Sequence, residues 1–104
     1  MGVFSKKSGE VVLDQKGCRG IRLFENTGNE YVLLEIEPGG EIPGHALSIP
    51  VDFCVLKGSG TATVGEEILQ VSEGQMVSCP PDISRGWKNE TSELLEVLVI
   101  KSVR

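Results

Sequence analysis

His45 is the only histidine in the 104-residue chain, and it sits in the stretch PGGEIPGHALSIP. Imidazole is the side chain whose ordinary pKa lies nearest neutrality, so His45 is the first candidate for a proton-transfer or metal-binding group. One imidazole does not hold zinc, iron or manganese, because structural and catalytic sites take three or four protein ligands. The other soft donors are Cys18, Cys54 and Cys79, odd in number and without a C-x-x-C pair. That spacing argues against a disulfide framework or a zinc knuckle and for small buried hydrophobes in a reducing compartment. A site built from His45 with Cys54 or Cys79 is hampered at Cys54, whose parity is opposite to Phe53 and Val55. No carboxylate is placed to orient His45 and no nucleophile–base pair stands at a useful spacing, so no catalytic residue is expected.

The formal net charge is −5, and the only adjacent basic pair is Lys6-Lys7. A nucleic-acid surface needs a basic stripe, so that class is excluded. No apolar run approaches the length of a membrane span. The opening residues MGVFSKKSGE have no apolar signal region, and Lys6 stands where a myristoylation site needs Ser or Thr. A cytoplasmic protein is therefore expected. Asn89-Glu90-Thr91 fits the glycosylation acceptor pattern, which matters only on a secretory route.

The elements that must position these residues are short. No window keeps a 3.6-residue apolar period, whereas alternating and β-branched runs recur. Strands are expected near residues 10–13, 21–25, 30–37, 45–49 and 52–57, then 61–64, 68–71, 75–79, 85–89 and 94–101. Turns fall at 26–29, 38–40, 58–60, 65–66, 72–74, 80–82 and 89–92, where glycine supplies positive φ and proline pre-sets φ. Short strands with turns every ~8–12 residues indicate an all-β sandwich or barrel. The whole of 1–104 reads as one domain, with residues 1–9 either flexible or pairing at an edge. The run Leu94-Leu95-Glu96-Val97-Leu98-Val99-Ile100 is continuous enough to be buried on both faces, one inside the barrel and one against another subunit.

From Gly39 onward the chain resembles the cupin family, whose members carry the motifs G-x5-H-x-H-x3,4-E-x6-G and G-x5-P-x-G-x2-H-x3-N. Gly39, five residues and His45 open the first motif, and Gly58 closes it. Gly74, five residues, Pro80 and later Asn89 follow the second. The resemblance covers roughly residues 32–100 and implies a jelly-roll barrel, a double-stranded β-helix, commonly paired as a homodimer. In metal cupins two histidines and a glutamate of the first motif and a histidine of the second hold a divalent ion. Here only His45 remains. The second histidine falls on Leu47, the glutamate on Val51, the last histidine on Arg85, and the motif's glycine before it on Asp82. Asp52 is one residue from the glutamate position and so on the opposite face unless a bulge intervenes. Leucine and valine have no donor atom and arginine stays protonated. The expected metal site is therefore degenerate and no cofactor is expected, with a divalent metal at His45 as the weaker alternative.

The resemblance implies that His45, Leu47, Val51 and Arg85 meet where the metal would be, with Trp87 as a wall. A buried guanidinium needs a partner. The sequence leaves two partners open: an internal carboxylate such as Glu35, Glu37 or Asp52, which would make Arg85 a plug, or the negative charge of a ligand. The leading expectation is a small-molecule binding protein with an anionic ligand, a sensor or carrier using His45, Arg85, Leu47, Val51 and Trp87. The alternatives are a cupin-type enzyme and an interaction module whose barrel is filled with side chains. The enzyme would be a metal-dependent dioxygenase or isomerase, or a metal-free epimerase of the kind that pairs a histidine with a tyrosine, here Tyr31.

Overall fold

The computed structural model describes residues 2–103, and among them there are ten strands and no helix. In chain order they are β1 (Glu10–Gln15), β2 (Cys18–Glu25), β3 (Asn29–Ile36), β4 (Glu41–His45) and β5 (Val51–Lys57). Then come β6 (Ser59–Val64), β7 (Glu67–Ser72), β8 (Met76–Cys79), β9 (Arg85–Lys88) and β10 (Leu95–Ser102). They form a six-stranded antiparallel sheet, β1-β2-β3-β10-β5-β8, facing a four-stranded one, β4-β9-β6-β7. No described helix is long and apolar enough to cross a membrane.

Period-2 alternation decides which side chains lie between the sheets. Along β5, Val51, Phe53 and Val55 are buried while Asp52 and Cys54 face outward, half-buried. Along β10, Leu95, Val97 and Val99 enter the core, and β3 adds Val32, Leu34 and Ile36 opposite them. From the smaller sheet come Ala62, Val71 and Trp87, with Trp87 meeting Phe53 edge-on at 5.6 Å between ring centroids. Each such burial contributes roughly 1.5–3 kcal/mol, with an edge-to-face aromatic pair adding about 1 kcal/mol. The outer face of β10 is only half-buried at Leu98 and Ile100, so within one chain the strand is not covered on both sides as its apolar run suggests.

Residues 2–9 form no strand. They lie against the outer face of the larger sheet, where Lys6 Nζ reaches Glu35 at 2.8 Å and Glu96 at 3.1 Å, and Phe4 meets Phe24 at 4.6 Å. Gly9 passes so close to Ile21 that a Cβ there would lie 2.5 Å from its Cγ2. This is why Ile21, on the outer face, is nonetheless buried.

One expected strand is misplaced. The chain is extended at Glu41–His45, before the 45–49 segment, and Leu47 and Ile49 belong to the connection into β5. Pro43 makes the observed strand look improbable, but β4 is the edge of its sheet, where a missing N–H costs no ladder bond. The register slips between Ile42 and His45, across Pro43 and Gly44. Residues 18–20 also extend β2 beyond its expected start, because Lys16 (φ 46°) and Gly17 (φ 76°) make a two-residue hairpin turn.

The spacing residues have mechanical work. Gly58 has φ +79°, and a Cβ there would stand 2.7 Å from the Leu94 carbonyl oxygen. Asn89, 1% exposed, donates its amide to the carbonyls of Ile36 (2.8 Å) and Glu93 (2.7 Å). Its side-chain oxygen accepts from the Thr91 amide and hydroxyl at 3.0 and 2.7 Å. Its backbone also closes the Pro38-Gly39-Gly40 turn, by Gly39 N to Asn89 O and Asn89 N to Gly40 O. Asp82, standing where the second motif has glycine, adopts φ 66°. Aspartate tolerates that left-handed region better than most residues. Its amide donates to the Leu47 carbonyl at 2.7 Å and ties down the 46–50 connection.

Candidate functional site

The sheets do not fill the space between them. A cavity of about 620 Å³ remains toward one end of the barrel, a volume ordinary for a small-molecule site. Its apolar wall includes Leu13, Val32, Leu34, Ile42, Phe53 and Val99, from both sheets. The exposed residues Val12, Gln15, Pro43, Gly44 and His45 also line it and mark its mouth. The filled barrel expected of an interaction module is not what the chain builds.

Arg85 enters this cavity from β9, a strand hydrogen-bonded on both sides, to β4 at His45 and to β6 at Val64. Parity sends Arg85, Trp87 and Asn89 inward, and Arg85 is 5% exposed. Its only hydrogen bond among the described residues runs from Nη1 to the His45 backbone carbonyl, at a long 3.4 Å. The buried Nε has no partner, and neither does the indole Nε1 of Trp87, which lines the same cavity. Burial pulls the guanidinium pKa below its ordinary value, a pull that nearby Cys79 opposes. It remains a cation at any ordinary pH.

The internal carboxylates that were open as partners for Arg85 are elsewhere. Glu35 pairs with Lys6 on the outer face, Asp52 points outward from β5, and Glu37 is exposed. Among the described residues Arg85 makes no salt bridge, while the other cations of the cavity wall do. Arg22 meets Glu10 at 2.8 Å and Glu30 at 3.3 Å, and Lys101 meets Glu30 at 3.5 Å.

His45 lies at the rim, exposed, with Nδ1 3.2 Å from the Pro43 carbonyl. Leu47 and Val51 were expected to share the pocket with it, but they pack into the core and neither lines the cavity. The cause is the shifted strand: with β4 ending at His45, Leu47 lies in a connection rather than two residues along the same face. Tyr31 faces the outer side of the larger sheet beside Phe24, at 5.9 Å, so the tyrosine–histidine pair of a metal-free epimerase is not formed. Arg22, Glu30 and Lys101 line the cavity without having been singled out from the sequence. The parity of Glu30 with Val32 and Leu34, and of Lys101 with Val97 and Val99, carries that signal. For Arg22 the register shift between Arg22 and Phe24 hides it.

The donor set at the positions where cupins bind a divalent ion does not fit one. His45 is the sole donor there, Leu47 and Val51 have no lone pair to give, and Arg85 is a cation. Among the described residues no group of three or more His, Cys, Asp and Glu side chains is arranged to hold a metal ion.

Solved structures with the same architecture are numerous. An RmlC-like cupin from Shewanella frigidimarina superposes with a TM-score of 0.82 at 21% identity, covering 100% of this chain and 94% of that one. KdgF from a Halomonas species gives a TM-score of 0.85 at 13% identity, covering 100% and 96%. The polyketide cyclase RemF from Streptomyces resistomycificus gives 0.85 at 16%, covering 100% and 80%. At these identities the likeness shows the fold alone. A search of the curated proteins gives no match. The family model described as a cupin domain matches residues 32–101, the span that carries both glycine-spaced motifs, Arg85 and most of the core. With that match and the two-sheet barrel together, the chain belongs to the cupin family.

Proposed function

We propose that the barrel cavity binds a small anionic molecule, held by Arg85 without a metal ion, in a sensor or carrier role rather than a catalytic one. The observation that carries this reading is the unpaired guanidinium: 5% exposed, with an unpartnered Nε, in a cavity of about 620 Å³. A buried cation without a counter-ion costs several kcal/mol, and an anionic ligand supplies the missing partner. Trp87 offers a further N–H, and His45 stands at the mouth. Catalysis has less support, because His45 is exposed and the Pro43 carbonyl is its ring's only hydrogen-bond contact among the described residues.

The partner we propose besides the ligand is a second copy of the chain. Leu98 and Ile100, half-buried on the outer face of β10, pair with Cys54 and Asp52 of β5, and Cys54 pairs in turn with the exposed Met76; another copy would cover this largely apolar strip. The free thiols of Cys18, Cys54 and Cys79 favour the cytoplasm as the working compartment.

The test is thermal unfolding with a panel of small carboxylates and phosphates, on protein stripped of bound ligand by unfolding and refolding. A rise in Tm with at least one anion, lost in Arg85→Met, supports the reading. No rise with any anion refutes it.

A further inference from the structure

The cavity distinguishes among anions. The guanidinium has two hydrogen-bonding ends, and one is already used: Nη1 faces the His45 carbonyl. The opposite edge, Nε with Nη2, makes no hydrogen bond among the described residues. That edge presents two parallel N–H groups, the spacing that a carboxylate's two oxygens accept side-on.

The charge around it is also countable. Of the three cations in the wall, Arg22 and Lys101 share the lining carboxylate Glu30, Arg22 also meets the exposed Glu10 outside the lining, and only Arg85 lacks a carboxylate. One uncompensated positive charge is balanced by one negative charge. A phosphate monoester brings about −1.5 to −2 and three acceptor oxygens, leaving charge and acceptors unmet against Leu13, Val32, Leu34, Ile42, Phe53 and Val99. The same wall gains from an apolar ligand body, and the edge of Trp87 offers it one N–H.

We infer that the ligand is a monocarboxylic acid with an apolar body, its carboxylate side-on to the Nε–Nη2 edge of Arg85 and its body between the two sheets. This rests on the anion-binding reading and narrows it. The Trp87 N–H, two residues further along the same face of β9, meets either a carboxylate lone pair or an acceptor on the ligand body.

Calorimetric titration of the stripped full-length protein tests it with hexanoate, benzoate, 3-phenylpropanoate, its neutral amide 3-phenylpropanamide, inorganic phosphate and glucose 6-phosphate. The expected result is that at least one of the three acids binds. For 3-phenylpropanoate the affinity should exceed that of its amide and of both phosphates by ~10-fold or more, the scale of one charge-assisted contact pair. Arg85→Met should lose that advantage while keeping the wild-type circular dichroism. Arg85→Lys, which keeps the charge but not the fork, should recover only part of it. A phosphate that binds tighter than every acid, through Arg85, overturns the monocarboxylate assignment and leaves the anion site standing. Acid binding that is unchanged in Arg85→Met overturns the assignment to this edge. Absence of binding by all the anions overturns both readings.

Discussion

Replacing Arg85 with methionine should make the ligand-free protein more stable. In the stripped wild type the guanidinium is 5% exposed and holds one hydrogen bond of 3.4 Å, and its Nε has no partner. Leaving a buried donor unmade costs about 1–3 kcal/mol, and the desolvated charge adds to that. The bond that Arg85→Met gives up, near the outer distance limit, is worth roughly 1 kcal/mol or less, and the exposed His45 can turn its carbonyl to water. Methionine has a similar reach and lays apolar surface against Phe53 and Val99 on the cavity wall. The net expectation is a gain of about 1–2 kcal/mol, and for a domain of this size each kcal/mol moves Tm by about 4–8 °C. Urea and thermal unfolding of ligand-free protein, with the urea m-value compared to confirm an unchanged fold, read it directly. The order then reverses with ligand: at ~100 times Kd the wild type gains about 2.7 kcal/mol that the variant does not. If ligand-free Arg85→Met is instead less stable than wild type by 1 kcal/mol or more, Arg85 is a structural strut. Its missing counter-ion then marks no ligand site.

Asn89→Ala should cost about 2–4 kcal/mol in urea unfolding, because it strips partners from the Ile36 and Glu93 carbonyls and the Thr91 amide at a site 1% exposed. In native protein a thiol reagent should modify Cys54 first, since Cys18 and Cys79 are 3% and 1% exposed. Burial pushes the Cys18 thiol up, outweighing an opposing backbone contribution from Glu41. The folded state thus keeps a proton that the unfolded state loses, and this contribution, full below the ordinary thiol pKa, should decline as pH rises above it. Sedimentation should find a dimer for the wild type and a monomer for Leu98→Glu, with Cys54, paired with Leu98 across β10 and β5, labelled faster in the variant.

The sequence made the barrel legible through its punctuation. Gly39 and Gly58 hold left-handed backbone positions and Asn89 a buried hydrogen-bonding one, so their spacing marks the fold whatever side chains stand between them. Parity then placed Arg85 and Trp87 inward without any knowledge of the sheets. Parity failed at Leu47 because the strand lies earlier, running through Pro43, which an edge strand tolerates, and the frame of the alternation moved with it. The ion pairs of Arg22, Glu30 and Lys101 were illegible for another reason. They depend on how strands pair and in what register, and Glu30 of β3 meets Lys101 of β10 only across 71 residues of chain. What opposes Arg85 was likewise undecidable from composition, since carboxylates are plentiful and only the faces they occupy exclude them.

The enclosure of Asn89 also limits where this polypeptide can be made. Asn89-Glu90-Thr91 is an acceptor for oligosaccharide transfer, which acts on a chain still emerging and unfolded. A glycan attached there would consume the amide that grips Ile36 and Glu93, at a spot with no room for a sugar. Production through a glycosylating secretory host should therefore yield misfolded or retained material, and Thr91→Ala, which erases the acceptor, would rescue it only in part because Thr91 is itself bonded to Asn89.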